Sequence, residues 1–260
     1  MSRRVPALSR RVARPITGLF VPKPRRRIIF QHVPKSGGSS VNAVFKGLFR
    51  GSRFGQSVLL TDHALSNPQL IEYARGARFV GGHFGPRIRS AVRDDGYVFT
   101  VLRDPVERII SHWRFLQSHR RLELHLPYDT LEEALSSGSE PVRYAFDNVF
   151  ARQYGAGHEL TEAAKVPRKI WVDNALDALR AMDRVIDLSD LNAGVDAVLD
   201  DCGLTRRRPI EVRNRTDGEG RRNLAKGVVP PKVDARSIEG VVAPYVELDR
   251  QLMQAWTRKG

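Results

Sequence analysis

The sequence predicts a single α/β domain whose central, mostly parallel sheet is flanked by helices. Three observations lead there. Short β-branched or aromatic runs at Ile28 to Val33, Arg78 to Gly82, Tyr97 to Leu102 and Val185 to Leu188 are too brief for helices. Segments with apolar residues at helical spacing separate them, and alternating strands and helices imply a parallel sheet covered on its faces. The length of 260 residues, 41% hydrophobic and 28% charged, suits one ordinary core.

The chain opens with a basic stretch. Residues 1–27 carry nine Lys or Arg and no acid, which predicts a flexible N-terminal arm ahead of a domain over 28–260. The remainder holds 34 basic against 29 acidic residues, so only +5 of the total +14 belongs to the domain. That distribution argues against a broad nucleic-acid face. A second basic cluster, Arg206 to Arg208 with Arg213, Arg215, Arg221 and Arg222, reads equally as a solvated face or as a loop that handles an anion.

Ile28 to Val33 is the first strand, followed by a Gly/Ser turn and a helix marked by Val41, Val44, Phe45 and Leu48 and closed by Gly51. Residues 52–77 lack periodicity and read as loops with one short helix. The run Arg78 to Gly82 is a strand leading into His83, and Tyr97 to Leu102 a central strand. Asp104, Pro105 and Glu107 then supply an N-cap, a first-turn proline and a capping-box acid for a helix that buries Val106, Ile109, Ile110, Trp113 and Leu116. Further helices are predicted at 142–154, 172–182, 191–202 and 241–256. The single cysteine, Cys202, excludes an intrachain disulfide and a cysteine-rich metal site. No apolar run approaches the roughly 20 residues needed to cross a bilayer, and the segment before Pro15 lacks the apolar stretch of a secretory signal. A soluble, cytoplasmic protein is expected, with an arm suited to peripheral contact with an anionic membrane.

Two segments carry chemistry. Pro34, Lys35, Ser36, Gly37, Gly38, Ser39 and Ser40 lie between a strand and a helix, where backbone amides and the helix dipole receive a phosphate. The glycines let the backbone approach an anion, Lys35 adds charge, and the serines add donors. The lysine precedes the glycines and no carboxylate suited to a metal ends the strand at 97–102, so the loop is not that of an ATPase or kinase. Arg103 stands where the central strand ends, the place at which open α/β sheets bind ligands, with Ser111 on the helix that follows.

These two segments resemble the sulfotransferase superfamily, in particular the carbohydrate branch that includes heparan sulfate 2-O- and 6-O-sulfotransferases and related bacterial enzymes. His32 to Ser40 is similar to that branch's H-[IV]-P-K-[TS]-G-G-[TS]-[ST] loop, and Leu102 to Arg108 with Ser111 to its L-R-[DE]-P-[VI]-x-R-x-x-S segment. Asn148, Arg152, Gln153, Leu248, Asp249 and Leu252 echo later parts of the pattern. The resemblance implies a P-loop-kinase-like sulfotransferase architecture over 28–260. It also implies 3′-phosphoadenosine-5′-phosphosulfate as donor, held at its 5′ end by Lys35 to Ser40 and at its 3′-phosphate by Arg103 and Ser111, with no metal.

Sulfuryl transfer spreads negative charge over peripheral oxygens, so it needs positioning and cations more than covalent chemistry. Lys35 is the candidate to stabilise the leaving phosphate. The acceptor, expected to be a hydroxyl on a glycan or glycolipid, needs a base, and histidine matches neutral pH. His83 stands at a predicted strand end beside Gly81 and Gly82, and the branch places a catalytic histidine in a similar segment, although here Phe84 follows directly. His32 reads as packing and His112 has no defined task. His63 and His125 lie in unassigned segments, and Asp62 with His63 makes half a metal site that no second pair completes. Arg213 is the remaining candidate for the 3′-phosphate. The competing functions are a nucleotide-dependent phosphotransferase and a non-enzymatic binder of nucleic acid or other anions.

Overall fold

The computed structural model describes residues 24–49, 57–93, 95–118, 126–205, 210, 233, 236 and 238–257. Strand β1 (Ile28–Gln31) leads through a loop into α1 (Gly38–Leu48). β2 (Ser57–Thr61), a 3-10 turn at Asp62–Ser66 and α2 (Pro68–Gly76) precede β3 (Phe79–His83) and α3 (Pro86–Arg93). β4 (Tyr97–Leu102) feeds α4 (Pro105–Ser118). Next come α5 (Leu131–Ser137), α6 (Glu140–Phe146), α7 (Val149–Gly155), the single turn α8 (Leu160–Ala163) and α9 (Trp171–Arg180). β5 (Arg184–Asp187), α10 (Leu191–Asp201) and α11 (Glu239–Thr257) complete the order.

The sheet runs β2-β3-β1-β4-β5 with every pairing parallel. β1 is central, Ile28 lying opposite both Phe79 and Tyr97. Its neighbours cover it on both edges and helices on both faces, which is why β1 and β4 are buried at every position and are apolar except at Gln31 and Thr100. The period of two sorts their side chains. Ile29, Val80 and Val98 join a core with α2, α3, α7 and α9, whereas Ile28, Phe30, Phe99 and Val101 pack with Val41, Phe45, Val195 and Leu199 of α1 and α10. A third cluster, around Trp113, Phe146 and Val246, ties α4 to α5, α6 and α11.

Several boundaries differ from expectation for physical reasons. β3 begins at Phe79 and includes His83 as its last residue. Residues 52–77 contain a strand as well as a helix. β2 alternates, with Val58 and Leu60 buried, but Leu59 is 50% exposed, so an apolar residue on the outer face hides the period. Pro68 starts α2, with Asn67 accepting the Leu70 amide at 3.1 Å, rather than marking a loop. The helix predicted over 142–154 is two helices. Asn148 adopts φ 43°, a left-handed conformation that ends any continuous helix. The predicted Asp104 cap is present, its carboxylate accepting the Glu107 amide at 2.8 Å.

Residues 24–27 are bonded to the domain: Arg25 N donates to Cys202 O at 2.9 Å, Arg26 pairs with Asp183 at 2.7 Å, and Arg27 donates to Arg75 O and Val92 O. Residues 1–23 and the arginines of the 206–222 cluster, Arg213 included, lie outside the described residues. Cys202 is buried and free, and burial pushes its thiol up to about 12. No helix among the described residues is long and apolar enough to cross a membrane.

Candidate active site

The parallel register aligns the C-terminal ends of β1, β3 and β4, so the segments after each meet along one sheet edge. From β1 the chain passes through His32, Val33 and Pro34 into a loop with two left-handed residues, Lys35 at φ 72° and Gly37 at φ 78°. This reversal starts α1 without a side-chain cap, leaving its N-terminal end to the loop's own groups. Gly38 has a separate reason to lack a side chain: a Cβ there would stand 2.2 Å from Cε1 of His32. Ser36 is fully buried, and among the described residues its hydroxyl has no hydrogen-bond partner.

Arg103 follows β4 and turns back on this loop, its guanidinium donating to Lys35 O at 3.1 Å and pairing with Glu107 at 3.4 Å. Its Nε is buried and lacks a partner among the described residues. The Lys35 ammonium sits over the Phe115 ring, 4.3 Å from the centroid, with no acid paired to it among the described residues. Burial, aided by the Arg103 charge, lowers this lysine to about 8. Ser111 is half-buried on α4, in the same helix as Phe115.

His83 ends β3 beside this loop. Its ring meets His32 edge to face, centroids 4.3 Å apart, and His158 at 5.6 Å. Burial lowers it to about 4, so it is neutral at neutral pH. The other nearby imidazoles are committed. His32 Nδ1 donates to Val33 O at 3.3 Å, and His112 Nδ1 to Ala145 O at 3.2 Å. His158 is engaged at both nitrogens, by Gln153 and Tyr144, each at 3.1 Å. Among the described residues His83 alone of these four has neither ring nitrogen in a hydrogen bond. His112 is lowered by burial and by the charges of Arg108, Lys35 and His83, so it feels both sides of the site.

The structure thus brings Lys35, Ser36, Gly37, Gly38, Arg103 and His83 together along one edge, with Ser39 and Ser40 in the first turn of α1. His125 lies outside the described residues. The His63 side chain is 80% exposed and faces Glu159 at 3.7 Å; among the described residues no cluster suited to a metal ion occurs. In the sequence Gln153 shows only as an echo of the family pattern, and His158 and Phe115 belong to no motif. Gln153 in fact reaches the loop, donating to His32 O at 2.8 Å. Arg108 and Arg152 are buried structural cations, donating to the carbonyls of Ala145, Arg143 and Tyr144; burial lowers both from the ordinary arginine value, and the nearby Asp249 carboxylate offsets part of that. A separate cleft of about 400 Å³ beside Arg143, Arg168 and Pro244 contains none of the anion-handling residues.

Residues 19–215 match the family model described as Sulfotransferase family, a span that contains Lys35, His83, Arg103 and His158. A solved structure, the sulfotransferase from Alicyclobacillus acidocaldarius, is similar at 18% sequence identity and a TM-score of 0.44, covering 90% of this chain and 99% of that chain. No protein of curated function matches the sequence.

Proposed function

Because the chain belongs to the sulfotransferase family, whose members move a sulfonate from 3′-phosphoadenosine-5′-phosphosulfate to a hydroxyl, we propose that it sulfonates a carbohydrate hydroxyl, with His83 as base and Lys35 as the cation at the leaving phosphate. One observation carries this reading. An anion cradle with donors that lack partners among the described residues, Ser36 Oγ and Arg103 Nε, adjoins a neutral imidazole with uncommitted nitrogens.

The fit to the donor rests on those donors. A buried hydroxyl and guanidinium nitrogen left without partners cost about 1–3 kcal/mol each, a cost that an anion's oxygens relieve. Lys35, Ser36, Gly37, Gly38, Ser39 and Ser40 would hold the 5′ end, and Arg103, Ser111 and Arg213 the 3′-phosphate. When bound, the donor supplies an electrophilic sulfur and a phosphate leaving group. Lys35 neutralises charge where it develops, and an aromatic face as its resting partner leaves it uncompensated for an anion. His83, neutral because it is buried, takes the proton of the attacking hydroxyl; a carbohydrate hydroxyl becomes acidic only as its bond to sulfur forms, so a weak but aimed base suffices. Residues 28–260 make the catalytic domain, and of the basic stretch 1–27 the part before residue 24 is the arm available to anionic surfaces, since 24–27 are bonded to the domain.

The test is thermal-shift titration with adenosine 3′,5′-bisphosphate in EDTA, followed by transfer of labelled sulfonate to glycan, lipid and small-molecule panels. Stabilisation without magnesium and label on the glycans are expected. A response to Mg·ATP alone would defeat the reading, and label confined to lipids or metabolites would replace the acceptor.

A further inference from the structure

The residues around His83 fix more than its position. Gln153 lies on α7, which packs over the sheet, and its Nε2 is 2.8 Å from His32 O and 3.4 Å from Phe84 O, the carbonyls flanking the site on two strand exits. Facing two acceptors, that atom must be the NH2, which makes Oε1 an acceptor. His158 Nδ1 stands 3.1 Å from this Oε1 and therefore carries the proton. Its Nε2 is then a lone pair facing the Tyr144 hydroxyl at 3.1 Å, a donor whose one proton also faces Glu159 Oε1 at 3.4 Å. Gln153 determines the tautomer of His158, and with Tyr144 at Nε2 both ring nitrogens are engaged.

We infer that Gln153, His158 and Tyr144 are positioning residues: they lock His158 in the Nδ1-protonated form and set its ring as a dry wall that, with His32, confines the His83 imidazole. The inference rests on the assignment of His83 as base. The groups around His83 are His32 from the segment after β1, His158 from beyond α7 and, across the site, His112; around His158 stand Glu159, Arg152, Arg108 and His63. Burial and the neighbouring His83 hold His158 at about 3, so the wall stays uncharged across the working range. Removing it admits water to His83 and frees its ring.

The experiment is nitrogen-15 NMR of the histidines combined with kinetics. Wild-type protein should show His158 protonated on Nδ1 and His83 titrating near 4. In His158→Ala the His83 midpoint should climb towards 6, the acid limb of kcat should move with it, and kcat should fall about 10- to 100-fold with KM little changed. His158→Asn, which keeps an N–H for Gln153, should recover part of kcat. An unmoved His83 midpoint, or a His158 protonated on Nε2, overturns the inference. If His158→Ala does not fold, Gln153→Met decides it: with no Oε1 to hold the Nδ1 proton, His158 should populate both tautomers, and an unchanged spectrum counts against the lock. Full turnover by His83→Ala would instead remove the base assignment, which the tautomer measurement does not touch.

Discussion

The side-chain oxygen of Asn148 accepts the Leu248 amide at 2.7 Å, while its Nδ2 donates to Pro244 O at 2.9 Å. One amide side chain thus bonds a carbonyl and an amide four residues apart in α11, the pair that one α-helical step would join. The Asn148 backbone amide adds a bond to Tyr245 O at 2.7 Å, and its oxygen a second bond from Asp249 N at 3.2 Å. The left-handed break between α6 and α7 is what turns this side chain into α11.

Replacing Asn148 therefore tests the joint between the sheet-covering helices and the C-terminal helix. Asn148→Ala strands a buried carbonyl and two amides and should cost about 2–4 kcal/mol in urea unfolding. Asn148→Gly relaxes the backbone without restoring the bonds and should be no better than partly recovered. A loss under about 0.5 kcal/mol would show that water fills the gap.

Lys35→Ala should lower turnover by at least about 100-fold, yet leave the melting temperature of the ligand-free protein equal or higher. The second half follows from geometry: a buried ammonium with only an aromatic face and a neighbouring arginine contributes little to stability. Turnover within a few-fold of wild type would exclude Lys35 from the reaction.

Gly38→Ala should abolish binding of adenosine 3′,5′-bisphosphate, because the new methyl meets His32 at 2.2 Å and displaces loop or ring. The added substitution His32→Ala removes the obstacle and should restore part of that binding by calorimetry. Equal loss in single and double variants would place the cause elsewhere.

Acid should destabilise the protein steeply below pH 6.5. Burial lowers His32, His83, His112 and His158 from the ordinary 6.5. The unfolded chain then binds protons that the native chain refuses, so the stability they contribute is complete above 6.5 and is lost as pH falls. His83 alone, at about 4, accounts for about 2 kcal/mol by pH 4.5. Asp249, raised to about 6 by burial, has the opposite sign: between 6 and 4 the native state takes its proton first and returns part of the loss. Denaturant midpoints from pH 7.5 to 4.5 measure the sum, and a flat profile would mean these imidazoles are hydrated.

Local patterns disclosed the central strands, the α4 cap and the loop from Pro34 to Ser40, because each depends on residues adjacent in the chain. What stayed hidden depends on distance. Gln153 meets His32 across 121 positions, and nothing in its helix announces that contact. His158 follows a short helix in a segment without motif, and only tertiary packing sets it against His83. β2 was concealed by exposed Leu59, and the break at Asn148 by an amide whose partners lie in α11. Arg213 belongs to a stretch outside the described residues.

The lone thiol has a practical consequence. Cys202 is fully buried and held far from its reactive thiolate form, so maleimide reagents should leave the native protein unlabelled. A cysteine introduced at exposed Glu107, the ion-pair partner of Arg103, would then be the single attachment point for a dye. Movement of Arg103 towards an arriving phosphate could be followed by fluorescence in real time, without first engineering a cysteine-free background.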